Sequence, residues 1–426
     1  MATALHRGLV PLRAVLGNGA TVIAEQTATH PAVTLHASVE AGSGHDPDDR
    51  LGLAHFAARV VDRGTWSKSA DQLAEAFDDR GVSVSVSVSR HLMTFTCTCL
   101  ADDVGDVLAL VADVIRNASF AASQIEKRRP AILTSLKQDE DNPAVVSTEA
   151  LMAALYPGGH PYGRRAKGTP ASVQAATRDD LAAFHTTHFS PSGLRVVIVG
   201  DVARERAVAL AEQAFGDWTA APTQALAPSV PPAIVERRLS TMAMPGKVQS
   251  DIAYGFTSIT RNDARYFPLV LMNTVLGQYG LGGRLGDSIR ERQGMAYYVF
   301  SGFEANVAPG PLLVRAGVNP ANVERAIASI DEELTRMAAD GVTASELDDS
   351  KRYLVGSMPR TLETNGGIAA FLHTAEFHGL GLDYDEQLPA LIEAVTLDEV
   401  HAVAREFLVP ARASIVVAGP PAGASV

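Results

Sequence analysis

Apolar and polar residues alternate with period two along GVSVSVSVSR. Val82, Val84, Val86 and Val88 fall on one face, and Ser83, Ser85, Ser87 and Ser89 on the other. That pattern predicts a half-buried strand with one apolar face. HLMTFTCTCL follows at hairpin distance, so the sheet is at least partly antiparallel. Elsewhere the period lengthens to that of amphipathic helices, and one succession of elements occurs twice. VQAATRDDLAAFHTTHFSPSGLRVVIVGDV (173–202) and IEAVTLDEVHAVAREFLVPARASIVVAGPP (392–421) share a plan: an acidic helix start, an amphipathic helix, a Pro-containing turn and an apolar strand ending in Gly. Thr177 and Thr396, 219 positions apart, are placed as N-caps of helices that open with acidic residues. FAASQIEKRRPAILTSL (120–136) and VTASELDDSKRYLVGSM (342–358) repeat at an offset of 222, each opening a long helix after a short Ser- or Thr-bearing turn. A strand and an amphipathic helix precede each of them.

Two matches at nearly one offset indicate an internal duplication. The expected fold class is α+β: two homologous domains, each a mainly antiparallel sheet with helices packed on one face. Residues 1–220 form the first domain and 237–426 the second. Between them GDWTAAPTQALAPSVPPAIVERR (216–238) has four prolines and no clear periodicity, which predicts an extended linker over 221–236.

Composition narrows the function classes. At 426 residues the chain exceeds one average domain, and its 46% apolar and 20% charged residues are ordinary for a globular protein with a sizeable core. No run of 18 or more uncharged apolar residues occurs, so no membrane span is expected. The net charge of −12, with Lys and Arg scattered rather than striped, argues against a nucleic-acid partner. The start, MATALHRGLVPLRAVLGNGATV, lacks an apolar core followed by a small-residue cleavage site. A cytoplasmic location is expected, or a periplasmic one if a leader was removed. Cys97 and Cys99 sit at i and i+2 of one run, roughly 6.5–7 Å apart if it is a strand, a poor distance for a disulfide. Two reduced thiols fit the cytoplasm.

The stretch GLAHFAARVVDRGT (52–65) bears on chemistry. H-x-x-E-H on a helix gives two metal ligands one turn apart with a base between them. Here the five positions read His55, Phe56, Ala57, Ala58, Arg59. Around them the chain resembles the pitrilysin/insulinase family of metallopeptidases, most closely the two-domain subunits of the mitochondrial-processing-peptidase type. The resemblance runs through LGNGATVIAEQ, AGSGHDPDDRLGLAHF, VVDRGT, DEDNP (139–143), HPYGRRAKGT (160–169), VVIVGD and, in the second half, VLGQYGLGGRLGDSIRERQGMAYYVFSG (275–302). It implies a zinc site in which the first histidine is His55, the base falls at Ala58, the second histidine at Arg59 and the distal glutamate at Ser135. Three of these four positions have lost their chemistry. Catalytic zinc needs three protein ligands and an open position for water. Ala58 cannot take a proton from that water, and a guanidinium ~4 Å from a divalent ion costs roughly 8 kcal/mol at an effective dielectric near 20. No metal is therefore expected in this chain, and His55 reads as a retained helix residue.

The resemblance also implies an Arg and a Tyr seven residues apart that contact the substrate carbonyl near the scissile bond. SIRERQGMAYYVFSG supplies Arg290 and Tyr297, with Arg292 and Tyr298 as neighbouring alternatives. Family spacing selects Tyr297, and in a regular strand Tyr297 and Tyr298 point to opposite faces. Such donors can steady a developing oxyanion. GQYGLGGRL (277–285) lacks the G-K-[ST] ending of a phosphate loop, so its glycines, Gly282 and Gly283 among them, are expected in a flexible substrate-facing loop. His185 and His188 sit one turn apart without a third ligand nearby in sequence, and His373 and His378 fall on different helix faces; both pairs are expected to be solvated or core-edge histidines.

What the resemblance implies is half of a peptidase. Single-chain relatives carry four such domains around a chamber, and this chain has two. It is expected to pair with a paralogous H-x-x-E-H subunit that holds zinc, contributing Arg290, Tyr297 and half of the chamber for unfolded peptides. Two other readings stand beside it: a homodimeric peptide-binding protein without hydrolysis, and a structural subunit like the core proteins of a respiratory complex.

Overall fold

The computed structural model describes residues 8–278 and 282–421, so 279–281 of the Gly-rich run lie outside the described residues. The chain forms two compact units. The first comprises 8–136, 165–226 and 357–387, the second 137–164, 227–356 and 388–421.

In the first unit, β1 (Leu12–Val15), β2 (Thr21–Gln26), β3 (Ala32–Val39), β4 (Ser85–Val88), β5 (Met93–Leu100) and β6 (Arg195–Gly200) form a sheet in the order β1-β2-β6-β3-β5-β4. β2 and β6 run parallel, and the other pairs are antiparallel. In the second unit, β7 (Arg238–Ala243), β8 (Ser250–Thr257), β9 (Ala296–Phe303), β10 (Pro311–Val318) and β11 (Ser414–Gly419) take the order β7-β11-β8-β10-β9, again with one parallel pair, β7 and β11. Strand for strand, β2-β6-β3-β5-β4 and β7-β11-β8-β10-β9 are the same topology. The duplication read from the two repeated segments is a duplication of the α+β fold itself.

Local chemistry sets the repeated boundaries. Thr177 accepts a hydrogen bond from the Asp180 N–H while Asp180 accepts from that of Thr177, and Thr396 and Glu399 do the same. These reciprocal caps satisfy backbone donors that a helix start leaves open. The predicted Val/Ser strand is ordered as β4 only over Ser85–Val88, with its serines exposed and its valines half-buried.

The central strands β6 (RVVIVG) and β11 (SIVVAG) are apolar on consecutive residues, the mark of a strand covered on both faces. On one face of the first sheet, Val196 and Ile198 join the main core with Phe56, Leu108 and Phe184. On its other face, Val197 and Val199 pack with Ile368, Ala369 and Leu372 of the helix Asn365–His378. The second sheet repeats this, with Val416 and Ala253 packing against Leu151 and Leu155 of the helix Pro143–Leu155. Each sheet thus carries, besides its main helical layer, one helix drawn from the other half of the sequence. At about 1.5–3 kcal/mol for each large apolar side chain buried, these small clusters hold their helices in place.

Candidate functional site

The stretch 52–65 folds as expected into a helix, Leu53–Val60. Its start is built by Asp46, whose carboxylate accepts from the N–H of Gly52 at 2.7 Å and of Ala54 at 2.8 Å. Gly52 has φ 90°, and a Cβ there would meet the Lys167 carbonyl at 2.6 Å, so this entry turn requires glycine. Phe56 is 1% exposed and locks the helix to the core. The guanidinium of buried Arg129, 5.2 Å over the Phe56 ring, donates to the Ala176 carbonyl at 2.9 Å. That residue ties the helix Ala122–Glu140 to the same core.

His55, Ala58, Arg59 and Asp62 recur at i, i+3, i+4 and i+7, and so share one side of the first helix and its continuation. Arg128, Ala131, Ile132 and Ser135 have the same spacing on the second. All eight line a single cavity of about 460 Å³, closed on its third side by Val84, Ser85 and Val86 at the start of β4. The four positions assigned by resemblance to the zinc site therefore come together in space, with His55 the one ligand-type side chain among them.

The chemistry of that frame has changed sign. Arg59, Arg63 and Arg128 face it with one carboxylate, Asp62. Burial raises the Asp62 carboxyl above its ordinary range, against the opposing pull of Arg63, Arg128 and Arg59. Arg63 Nε lies 3.2 Å from Asp62. Among the described residues no group of three or more His, Cys, Asp or Glu side chains is arranged to hold a metal ion. One imidazole beside three guanidiniums does not fit zinc. Sequence reading missed Asp62, Arg63 and Arg128. The i+7 step from His55 to Asp62 and the EKRR run at 126–129 were the available signals.

Arg290 and Tyr297 belong to the second unit. Arg290 lies in a π-helical segment, Gly286–Arg292, with its Nε 3.8 Å from Glu291; Arg292 instead pairs with Asp287 at 2.9 Å. Tyr297 is on β9, the edge strand, and is 62% exposed. The β9–β10 register shifts here: Gly317 faces Tyr298 and Val318 faces Ala296, leaving Tyr297 unpaired. This bulge breaks the alternation that would assign faces to the two tyrosines, and bulges at sheet edges commonly re-aim a side chain. Tyr298 is occupied. Its phenol donates to Asp251, which is 2% exposed, its ring lies 5.8 Å from that of Phe300, and burial raises its pKa. Gly282 is exposed, whereas Gly283 is buried with its backbone against Gly277, where a Cβ would meet the Gly277 Cα at 2.8 Å. Close backbone packing, rather than loop freedom, explains Gly283. Arg284 is held by two 2.7 Å bonds to Glu346.

Of the paired histidines, His185, His188 and His373 make contacts within the fold. His185 Nε2 is 2.8 Å from the Ile115 carbonyl. The His188 ring lies 4.8 Å from His45, and burial pushes its pKa down to about 4. His373 Nε2 meets Ser38 Oγ at 2.6 Å. Cys97 and Cys99 are free, buried on the core face of β5. No described helix is long and apolar enough to cross a membrane.

Comparison with known proteins agrees with this geometry. Residues 21–167 match the family described as insulinase (peptidase family M16), and residues 175–354 the one described as the peptidase M16 inactive domain. An uncharacterized zinc protease of Mycobacterium tuberculosis is 29% identical over 405 residues, 94% of this chain and 91% of that protein. One from Bacillus subtilis is 25% identical over 393 residues, 92% of this chain and 94% of its own. A peptidase M16 inactive domain structure from Pseudomonas fluorescens superposes with a TM-score of 0.90 at 26% identity, covering 98% of this chain and 99% of that one. The fold is also that of a protease from Helicobacter pylori, with a TM-score of 0.90 at 18% identity. The chain belongs to the insulinase, or M16, family of peptidases, with a degenerate zinc motif in its first half and the inactive domain in its second.

Proposed function

We propose that this protein is the non-zinc subunit of a heterodimeric peptidase. A paralogous chain carrying H-x-x-E-H supplies zinc, its bound water and the base. This chain supplies Arg290 and Tyr297 to the substrate carbonyl, and half of the chamber in which an unfolded peptide lies extended. The observation that carries the reading is the cavity at His55, Ala58, Arg59 and Ser135: two helix faces meet there as the family site requires, while two of its three ligands and its base are replaced. Exposure of Tyr297 on a bulged edge strand supports its availability, and the engagement of Tyr298 by Asp251 supports the choice between them. Two buried, unpaired thiols support a reducing compartment, the cytoplasm.

The test mixes the chain with a zinc-bearing paralogue and follows cleavage of an unfolded peptide. Removing one such donor costs ≈10²–10³ in rate in comparable oxyanion sites. The Arg290→Ala/Tyr297→Phe double variant is expected to slow cleavage by at least that factor while leaving subunit association intact. Equal rates for variant and wild type would overturn the assignment.

A further inference from the structure

We propose that the cavity left by the lost zinc motif is a receptor for a peptide carboxylate. Three guanidiniums, from Arg59, Arg63 and Arg128, face it against the single carboxylate of Asp62, an excess of two positive charges. Arg63 is the one drawn closest to Asp62. Arg128 Nε is buried and has no hydrogen-bond partner among the described residues. A buried donor of this kind is costly unless a ligand completes it. Guanidinium is the side chain whose paired donors match a carboxylate in a two-pronged contact.

The rest of the lining specifies what carries that carboxylate. Val84, Val86 and Ile132 give the cavity apolar walls. β4, which begins beside it, is the outermost strand of its sheet and, among the described residues, has a neighbouring strand on one side only. The volume of about 460 Å³ lies within the range of ligand pockets. An extended peptide with an acidic group fits these features: apolar flanks against the valines and a carboxylate among the arginines. Substitution of the second histidine position by Arg59 has converted a cation site into an anion site on the same helix face. The inference rests on the proposed function only in taking the ligand to be a peptide. The site lies in this chain alone, so its test needs no partner, and its failure is separable from failure of the Arg290/Tyr297 role.

A second, smaller cavity supplies a reporter. Arg63 is shared with a pocket of about 300 Å³ that contains Trp66, which is 73% exposed, whereas the other tryptophan, Trp218, is buried. Peptide binding is followed by anisotropy of a labelled ten-residue peptide and by Trp66 fluorescence, using the purified chain. Four probes are compared: a peptide with a central Glu, the same with Gln, and each with its C-terminus free or amidated. A Glu peptide is expected to bind at least tenfold more tightly than its Gln counterpart, with the preference shrinking as salt rises. If the carboxylate is instead the terminal one, amidation causes that loss and Glu→Gln does not; either pattern supports the receptor. Arg59→Ala and Arg128→Gln are each expected to remove most of the preference. The exposed-site variant Arg59→Glu is expected to favour a Lys-bearing peptide, a reversal that a merely unfolded protein cannot give. The proposal is overturned if none of the four probes binds, if all bind equally, or if the preference persists unchanged in the arginine variants.

Discussion

His373 offers a quantitative check on the helix that reaches the first sheet from the far half of the sequence. It lies on Asn365–His378, is 6% exposed and bonds Ser38 of β3. The His36 ring centroid is 4.5 Å away. Burial, reinforced by His36, Arg195 and His378, pushes its pKa down to about 3. In the unfolded chain the imidazole returns to about 6.5. Below that pH the unfolded chain takes up a proton that the folded chain refuses, so stability falls as pH falls. The loss is about 1.4 kcal/mol per pH unit, continuing until the folded group itself titrates near 3. Between pH 7 and pH 5 this single group removes about 2 kcal/mol. His91 and His188, each pushed down to about 4 by burial, act in the same direction. His373→Gln keeps a polar partner for Ser38 and removes the titration. Urea unfolding followed by tryptophan fluorescence reports the right region, because Trp66 and Trp218 both lie in the unit that contains His373. The variant is expected to lose about 2 kcal/mol less than wild type between pH 7 and pH 5. Parallel stability profiles for the two proteins over that window would refute the burial argument.

Three further expectations follow from the sites. Ala58→Glu/Arg59→His/Ser135→Glu restores two ligands and a base, completing a three-ligand set with His55 on two faces that already share a cavity, and is expected to retain stoichiometric zinc after dialysis. Arg59→His alone, by the same elemental analysis, is expected to retain none. Tyr298→Phe leaves the buried Asp251 without its phenol and is expected to cost about 1–3 kcal/mol in urea unfolding. Exposed Tyr297→Phe should stay within about 0.5 kcal/mol of wild type. Burial pushes the Cys97 and Cys99 thiols up to about 12 and about 11, so a disulfide-exchange reagent at pH 8 should label them only after denaturation. Rapid labelling of the native protein would contradict their placement in the core.

Much of the fold was legible because its signals are local. Thr177 and Thr396 cap helices through reciprocal bonds that their own i+3 residues complete, and the Val/Ser alternation of β4 reports its exposure directly. The helices Pro143–Leu155 and Asn365–His378 were harder to place. Each packs on a sheet whose strands come largely from the opposite half of the sequence, and no periodicity within a half encodes such a partner. The same limit applied at the sites. His55, Ala58, Arg59 and Ser135 were found because a motif supplies their spacing, and they do meet in one cavity. Arg63, though inside the VVDRGT block, and Arg128 have no role assigned by the motif, so their charge became meaningful only when two helix faces were seen together. Tyr297 shows a different limit. Alternation presumes a regular ladder, and the bulge between Gly317 and Val318 suspends that rule at this residue.

On the proposed reading, the cavity at His55 supports no metal-dependent hydrolysis and the chain acts only beside another. Metal content and peptide turnover of the isolated, purified chain test it together. No stoichiometric zinc is expected after equilibration with the ion, and no turnover that a chelator removes. One tightly held zinc per chain, lost on His55→Ala and accompanied by chelator-sensitive cleavage, would contradict that reading.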